Sequence, residues 1–577
     1  MKQKFLLTCL YISFITFCSA QNKLQLITNN SSDYVIVLTQ NATAAEQKAA
    51  KVLQQYFQQI STYKLNIITQ EGDGSLKQII VGRTNKINQQ ELNGLDEDGI
   101  LIKSINNTII LSGGGRKGGL YSVYTFLTDY MNCKALSASN ISIPKYNNFS
   151  LNAPLYKKYS PTFSYRSTYF VDVMDKNYCD WHKLNYFMED WGLWVHSFKT
   201  LLPKEQYFAS HPEYFALVNG KRTPDQPDLT NPEVLKIVTA NLKRLMDSNP
   251  SAKYWSVSQN DNSNYCQCPN CKKLDDEQGS HQGSLLTFVN AVAKQFPDKI
   301  IATLAYNYSL APPKNLKPAN NVMMVITTSN DRHVPITNAP NSSFNIYFKK
   351  WTTLTNNIFV WDYISQFGNA LSPFPNINTL KPNINFFANN NVHYVFEEGI
   401  GNIAGEFSEL KCYLVAELMW NKEVKADSLA KNFVDEYYGS GGKYIWRYLK
   451  LLNRNADAAK TPLTAGGSPL NAKNTYLSNT NLDAYEALFR QALHVTDSST
   501  VFAKRIKKEY LSVLYARLEN NKPSANDKSY TISKADYAAL LDKWYAIAKS
   551  VNINYINEGR TKLDDYYNKN KSLTSNQ

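Results

Sequence analysis

The chain has 577 residues, more than one ordinary core can hold, so several domains are expected. Hydrophobic residues make up 43% and aromatic residues 13%, which excludes a disordered chain and allows large cores. The formal charge is +14, but the lysines are scattered and no nucleic-acid-binding motif appears, so a nucleic-acid partner is excluded.

The first residues predict an export signal over 1–20. Lys2 and Lys4 precede an apolar run from Phe5 to Phe17, and Ser19-Ala20 fits a cleavage site. The mature protein is therefore expected in the periplasm, at the cell surface or outside a bacterial cell. No later segment carries about 18 uninterrupted apolar residues, so no transmembrane span is expected in the mature chain.

Residues 21–150 read as a small α/β domain. Tyr34–Leu38 is a predicted strand. Thr43-Ala-Ala-Glu46 is a capping box opening a helix with Ala49, Leu53, Phe57 and Ile60 on its apolar face. Further strands are predicted at 64–69, 78–81, 99–103 and 108–112. The last runs into Gly113–Gly119 and a helix from Leu120. This glycine run matches Gly-x-Gly-x-x-Gly, but it follows the last strand of its domain, so it reads as a tight turn and not as a dinucleotide site. Residues 134–151 read as irregular chain. No cofactor is expected.

From 155 to 424, short strands alternate with helices, the pattern of a (β/α)8 TIM-like barrel. Strands are predicted at 163–172, around Trp194, from Tyr254, at 300–306, 322–327, 358–363 and 393–396. Tyr214–Val218 is the candidate for a missing third strand. Residues 425–577 are predicted all-helical, with no recognisable chemistry.

The stretch Tyr254-Trp-Ser-Val-Ser-Gln-Asn-Asp-Asn262 runs from a period-two strand into four consecutive polar side chains. Ligands bind at such strand ends. Glycosidic cleavage generally needs two carboxyl groups, one protonated and one ionised. Asp261, Asp362 and Glu397 all lie at predicted strand ends, with Glu398 beside the last, and they are the candidate catalytic acids. Arg166, His196, Asn260, Tyr306, Trp361 and Tyr363 are candidates for holding a sugar. Cys266, Cys268 and Cys271 are clustered, and either a disulfide or a zinc site that could use His281 fits that spacing. No metal is assigned to catalysis.

The domain order resembles secreted β-hexosaminidases and α-glucuronidases. The turn at Gly113–Gly119 before Leu120-Tyr-Ser-Val-Tyr-Thr-Phe-Leu127 looks like their small N-terminal domain. Pro161-Thr-Phe-Ser-Tyr-Arg166 followed by Asp172 resembles the hexosaminidase first-strand motif, which implies that Arg166 grips sugar hydroxyls. A closer resemblance is to a group of exported bacterial proteins, the domain of unknown function 4838 family. It rests on Trp194-Val-His-Ser-Phe198, His211-Pro-Glu-Tyr-Phe-Ala216, Cys266-Gln-Cys-Pro-Asn-Cys271, Phe396-Glu397 and Glu409 to Trp420. Hexosaminidases carry an Asp-Glu pair where this chain has Asn260-Asp261. Asp261, Asp362 and Glu397 instead follow the carboxylate order of α-glucuronidases. The resemblance implies an exo-acting glycoside hydrolase on terminal hexosaminides or uronides of an oligosaccharide or polysaccharide. The Asn260-Asp261 departure keeps a second reading, a catalytically silent carbohydrate-binding protein.

Overall fold

The computed structural model describes residues 23–71, 76–328, 331–338, 342–523 and 532–574; the predicted export signal lies outside them. The chain divides into two compact units.

The first unit holds the chain up to Cys133 together with Ile143–Ser160. Its six-stranded sheet runs Tyr156–Tyr159, Ile100–Ile105, Thr108–Gly113, Lys77–Val81, Tyr34–Leu38, Ile67–Ile68. The helix Ala44–Ser61 starts at the predicted capping box: Glu46 N–H donates to Thr43 Oγ1 (3.2 Å) and Thr43 N–H to Glu46 Oε2 (2.8 Å). A Cβ on Gly113 would lie 2.1 Å from the Gly99 carbonyl oxygen, and one on Gly118 2.4 Å from the same oxygen. The glycine run is thus a site of close backbone approach, as a tight turn requires. Residues 134–151 are more regular than their sequence suggests. Lys134–Ser137 and Asn140–Ser142 form a hairpin belonging to the second unit, and Phe149–Asn152 pairs with Lys23–Ile27.

The second unit is built on a parallel sheet of seven strands. We label them β1 (Tyr165–Thr168), β2 (Trp191–Leu193), β3 (Tyr254–Ser256), β4 (Ile300–Ala305), β5 (Val322–Thr327), β6 (Ile358–Tyr363) and β7 (Tyr394–Glu398). Their order is β1-β7-β6-β5-β4-β3-β2, so the sheet curls into a TIM-like barrel in which β7 pairs back onto β1. The second strand comes earlier than predicted, because the chain leaves the sheet at Leu193 before Trp194. The candidate third strand is not in the barrel. Phe215–Val218 pairs antiparallel with Lys221–Pro227 in a separate hairpin.

Side-chain alternation sorts the barrel into two packed faces. Tyr165, Trp191, Tyr254, Leu304, Val325, Phe359, Trp361 and Phe396 fill the interior. Trp255, Ile301, Ile326, Val360 and Val395 point outward into the large core shared with the helices. Gly192 leaves room for the Trp255 ring, whose atoms would lie 2.2–2.5 Å from an added Cβ.

The C-terminal helices Ala426–Tyr438, Gly442–Ala459, Asn479–His494, Val501–Asn520, Lys534–Ser550 and Leu563–Lys571 belong to the same compact unit and the same core. Lys508, nearly buried, is wedged between Glu409 (2.5 Å) and Glu509 (3.2 Å). Loops of this region also bond to the barrel mouth. Phe367 N–H donates to the Ala465 carbonyl (3.0 Å), and Glu558 N–H to the Phe367 carbonyl (3.0 Å). Among the described residues no helix is long and apolar enough to cross a membrane.

Candidate active site

A cavity of about 390 Å³ opens where the barrel strands end, lined by His196, Asp261, Leu304, Tyr306, Thr327, Trp361, Tyr363, Phe367, Glu398, Ala465 and Glu558. A larger groove of about 890 Å³ lies elsewhere, between the helices 232–248 and 282–293, and contains none of these residues. The barrel-end cavity is the candidate site because polar, aromatic and carboxyl groups converge there, whereas volume alone carries no chemistry.

Glu398 enters the cavity because β7 keeps its alternation to the last residue: Tyr394 and Phe396 point inward, and Glu398 follows. Trp361 Nε1–H donates to Glu398 Oε2 at 2.7 Å. Burial pushes the Glu398 carboxyl up to about 8; the indole hydrogen bond opposes that rise and the charge of Glu558 adds to it. Glu398 is therefore a protonated acid at neutral pH. Burial also raises Glu558.

Asp261 sits on the exposed side of the cavity and accepts a hydrogen bond from Tyr306 Oη at 3.0 Å. Burial, with the charges of Asp261 and Glu398, pushes the Tyr306 phenol up to about 12, so it remains a donor. His196 has a left-handed backbone (φ 57°). Its N–H donates to Ser258 Oγ (3.0 Å), and its Nδ1 contacts the Gln259 carbonyl oxygen (2.8 Å). A carbonyl only accepts, so Nδ1 is the donor in this contact.

Four of the sequence-predicted site residues lie elsewhere. Glu397 and Asp362 are register neighbours on β7 and β6, and both turn outward, away from the cavity. Asp362 is paired with Arg332 (2.5 Å) and accepts from Thr328 Oγ1. Glu397 is 0% exposed and has no hydrogen-bond partner for either oxygen among the described residues. Burial and the Asp362 charge push its carboxyl well up, against the pull of Arg332. Arg166, also fully buried, points outward from β1. It donates to the carbonyls of Phe163 (2.5 Å) and Lys183 (2.9 Å) and lies over the Trp420 ring. Asn260 is a loop clip: its Oδ1 accepts from Lys199 N–H (2.9 Å) and its Nδ2 donates to the Asp225 carbonyl (2.7 Å).

The cavity thus brings together Asp261, His196, Tyr306, Trp361 and Tyr363 from the predicted set, takes Glu398 and not Glu397 from the strand-end pair, and adds Glu558. Glu558 comes from the region whose sequence showed no chemistry, and no local pattern marks it. Glu398 did have a signal, the period-two alternation that puts aromatic residues of β6 and β7 on one face.

The arrangement is that of a barrel with a carboxyl-bearing mouth, preceded in the chain by a small α/β unit. The family GH115 4-O-methyl-α-glucuronidase BtGH115A, described as specific for decorated arabinogalactans, has a similar fold. Its TM-score is 0.57 at 14% identity, over 96% of this chain and 80% of that one. CpGH84B (TM-score 0.47, 12% identity, 95% and 97% covered) and a GH138 enzyme targeting pectin rhamnogalacturonan II (0.42, 9%, 94% and 98%) are more distant. No curated protein matches the sequence. The chain belongs to the family described as Domain of unknown function (DUF4838), which it matches over residues 135–450.

Proposed function

We propose that the protein is an exported glycoside hydrolase that removes terminal sugars from complex glycans, with Glu398 as general acid and Asp261 as base or nucleophile. The observation that carries this reading is a protonated carboxyl and a second, exposed carboxyl lining one aromatic cavity. Glycosidic cleavage asks for that division of roles. Glu398 gives its proton to the departing glycosidic oxygen as the anomeric C–O bond breaks. Asp261, held by Tyr306, either takes a proton from the incoming water or attacks the anomeric carbon itself. The Trp361 and Tyr363 rings offer apolar faces to a pyranose. The volume is at the small end of the roughly 300–1,000 Å³ of ligand sites, which suits a chain end better than a chain interior. The lining holds Asp261, Glu398 and Glu558 and no lysine or arginine among the described residues, which favours an uncharged sugar over a uronate. Export rests on the apolar run from Phe5 to Phe17.

The test is reducing-sugar release from a panel of glycans by wild type, Glu398→Gln and Asp261→Asn, with circular dichroism to confirm folding. Release by wild type, cut at least ~100-fold in both folded variants, supports the assignment. Full activity in Glu398→Gln removes it as the acid. Tight glycan binding without release over days would favour the carbohydrate-binding alternative.

A further inference from the structure

The three clustered cysteines converge on an acid that the sequence did not single out. The hairpin Phe215–Val218/Lys221–Pro227 ends at Asp228, and the helix Pro269–Gln278 begins at Cys268. Asp228 Oδ1 lies 3.5 Å from Cys268 Sγ and 3.4 Å from Cys271 Sγ. One ligand atom each from Asp228, Cys266, Cys268 and Cys271 fall within 4.8 Å of one another, and all four residues are buried. Ligand bonds of about 2.3 Å to sulfur and about 2.0 Å to oxygen give a tetrahedron with S···S edges of about 3.8 Å and S···O edges of about 3.5 Å. The two S···O separations already have that length.

The surroundings are those of a ligand shell. Leu217 N–H donates to Cys266 Sγ (3.4 Å), and Cys271 N–H to Cys268 Sγ (3.5 Å). Thr230 Oγ1 lies 3.6 Å from both Cys268 and Cys271 Sγ and donates to Asp228 Oδ1 (2.7 Å). Arg222 holds the other carboxylate oxygen of Asp228 at 2.9 Å. Backbone and guanidinium donors of this kind orient ligands and offset the charge of thiolates gathered at one point. His281, the ligand considered from sequence, is engaged by Asp275 (2.8 Å) instead. Cys266, Cys268 and Cys271 form no disulfide in this structure. A single disulfide here would leave the third thiol beside a buried carboxylate.

We propose that Cys266, Cys268, Cys271 and Asp228 bind one zinc ion, and that this closed site anchors the loop presenting Asp261 to the barrel mouth. Sulfur-rich tetrahedral sets select zinc, and four protein ligands leave no open position, so the ion is structural. Binding releases the three thiol protons to solvent. The mechanical link is continuous. Asp225 and Gln226, just before Asp228, clamp the loop on both sides of Asp261. Gln226 Nε2 donates to the Asn260 carbonyl (2.8 Å) and to Asn262 Oδ1 (3.0 Å), and Asn264 Nδ2 donates to Asp225 Oδ2 (2.8 Å). The same loop then enters the cluster at Cys266. Both ends of the clamp therefore meet at the ion.

The experiment uses the full mature chain, purified under reducing conditions without chelator and reconstituted with zinc. Elemental analysis is expected to find about one zinc per chain. Cobalt substitution should give thiolate-to-cobalt charge-transfer bands and tetrahedral d–d bands. Chelation of the wild type should lower its melting temperature and speed hydrogen exchange over residues 259–265, and zinc should reverse both. Asp228→Asn, nearly isosteric, is expected to weaken zinc binding at least ~10-fold. Less than ~0.1 zinc per chain after reconstitution, against the one a filled site holds, would overturn the proposal. So would a disulfide among the three cysteines found by non-reducing peptide mapping, or 259–265 exchange that chelation leaves unchanged.

Discussion

The protonation of Glu398 can be pushed both ways by residues that touch it or face it. As general acid it works only while protonated, so kcat/KM should fall as pH rises through about 8. Trp361→Phe keeps a ring in place but removes the 2.7 Å hydrogen bond that favours the carboxylate. Hydrogen bonds to charged groups contribute about 1.5–3 kcal/mol, and one pH unit is worth about 1.4 kcal/mol. The basic limb should therefore move up by about 1–2 units. Glu558→Gln removes the like charge that raises Glu398, so its limb should move down. The assay is the pH profile of kcat/KM on whichever glycan is turned over, which reports the free enzyme. Opposite displacements in the two variants are the expected signature. A limb that stays put in both, or moves down in Trp361→Phe, would refute Glu398 as the titrating acid.

Glu397→Gln should leave turnover largely unchanged, because Glu397 follows the inward-facing Phe396 and turns away from the cavity; a large fall in kcat would restore it to the reaction. Arg166→Met strands the carbonyls of Phe163 and Lys183 and should cost about 1–3 kcal/mol in chemical denaturation with KM unchanged. Lys508→Met leaves Glu409 and Glu509 buried without their cation and should cost about 3–5 kcal/mol by the same measurement. Gly192→Ala drives a methyl into the Trp255 ring and should cost about 1–3 kcal/mol, read as a lower denaturation midpoint.

Much of the barrel was legible because its strands alternate cleanly. Val322–Thr327 and Ile358–Tyr363 fall where their β-branched and aromatic runs put them. The carboxylates were harder for a physical reason. One step along a strand changes the face, so Glu397 and Glu398 look alike as strand-end acids yet point to opposite sides of the sheet. Had the parity of Phe359, Trp361 and Tyr363 been carried across to Tyr394 and Phe396, Glu398 would have come out facing the cavity, and Asp362 would have joined Glu397 on the other side. The outward face holds Asp362 because Arg332, thirty residues earlier in the chain, meets it there, and that pairing has no local signature. Arg166 misled in a similar way, since a guanidinium can serve buried carbonyls as readily as sugar hydroxyls. The hairpin at Phe215–Val218 has the composition of a strand. Only its antiparallel partner Lys221–Pro227 decides that it is not part of the barrel.

Two of the cavity walls, Ala465 and Glu558, stand beyond the end of the stretch that defines the family, residues 135–450. A relative with no acid at the position of Glu558 would lack the like charge that helps raise Glu398. Its proton donor would then sit at a lower pKa, and its optimum would shift toward acid. The Glu398 carboxyl is thus raised in part from a loop between the last two helices, outside the segment 135–450.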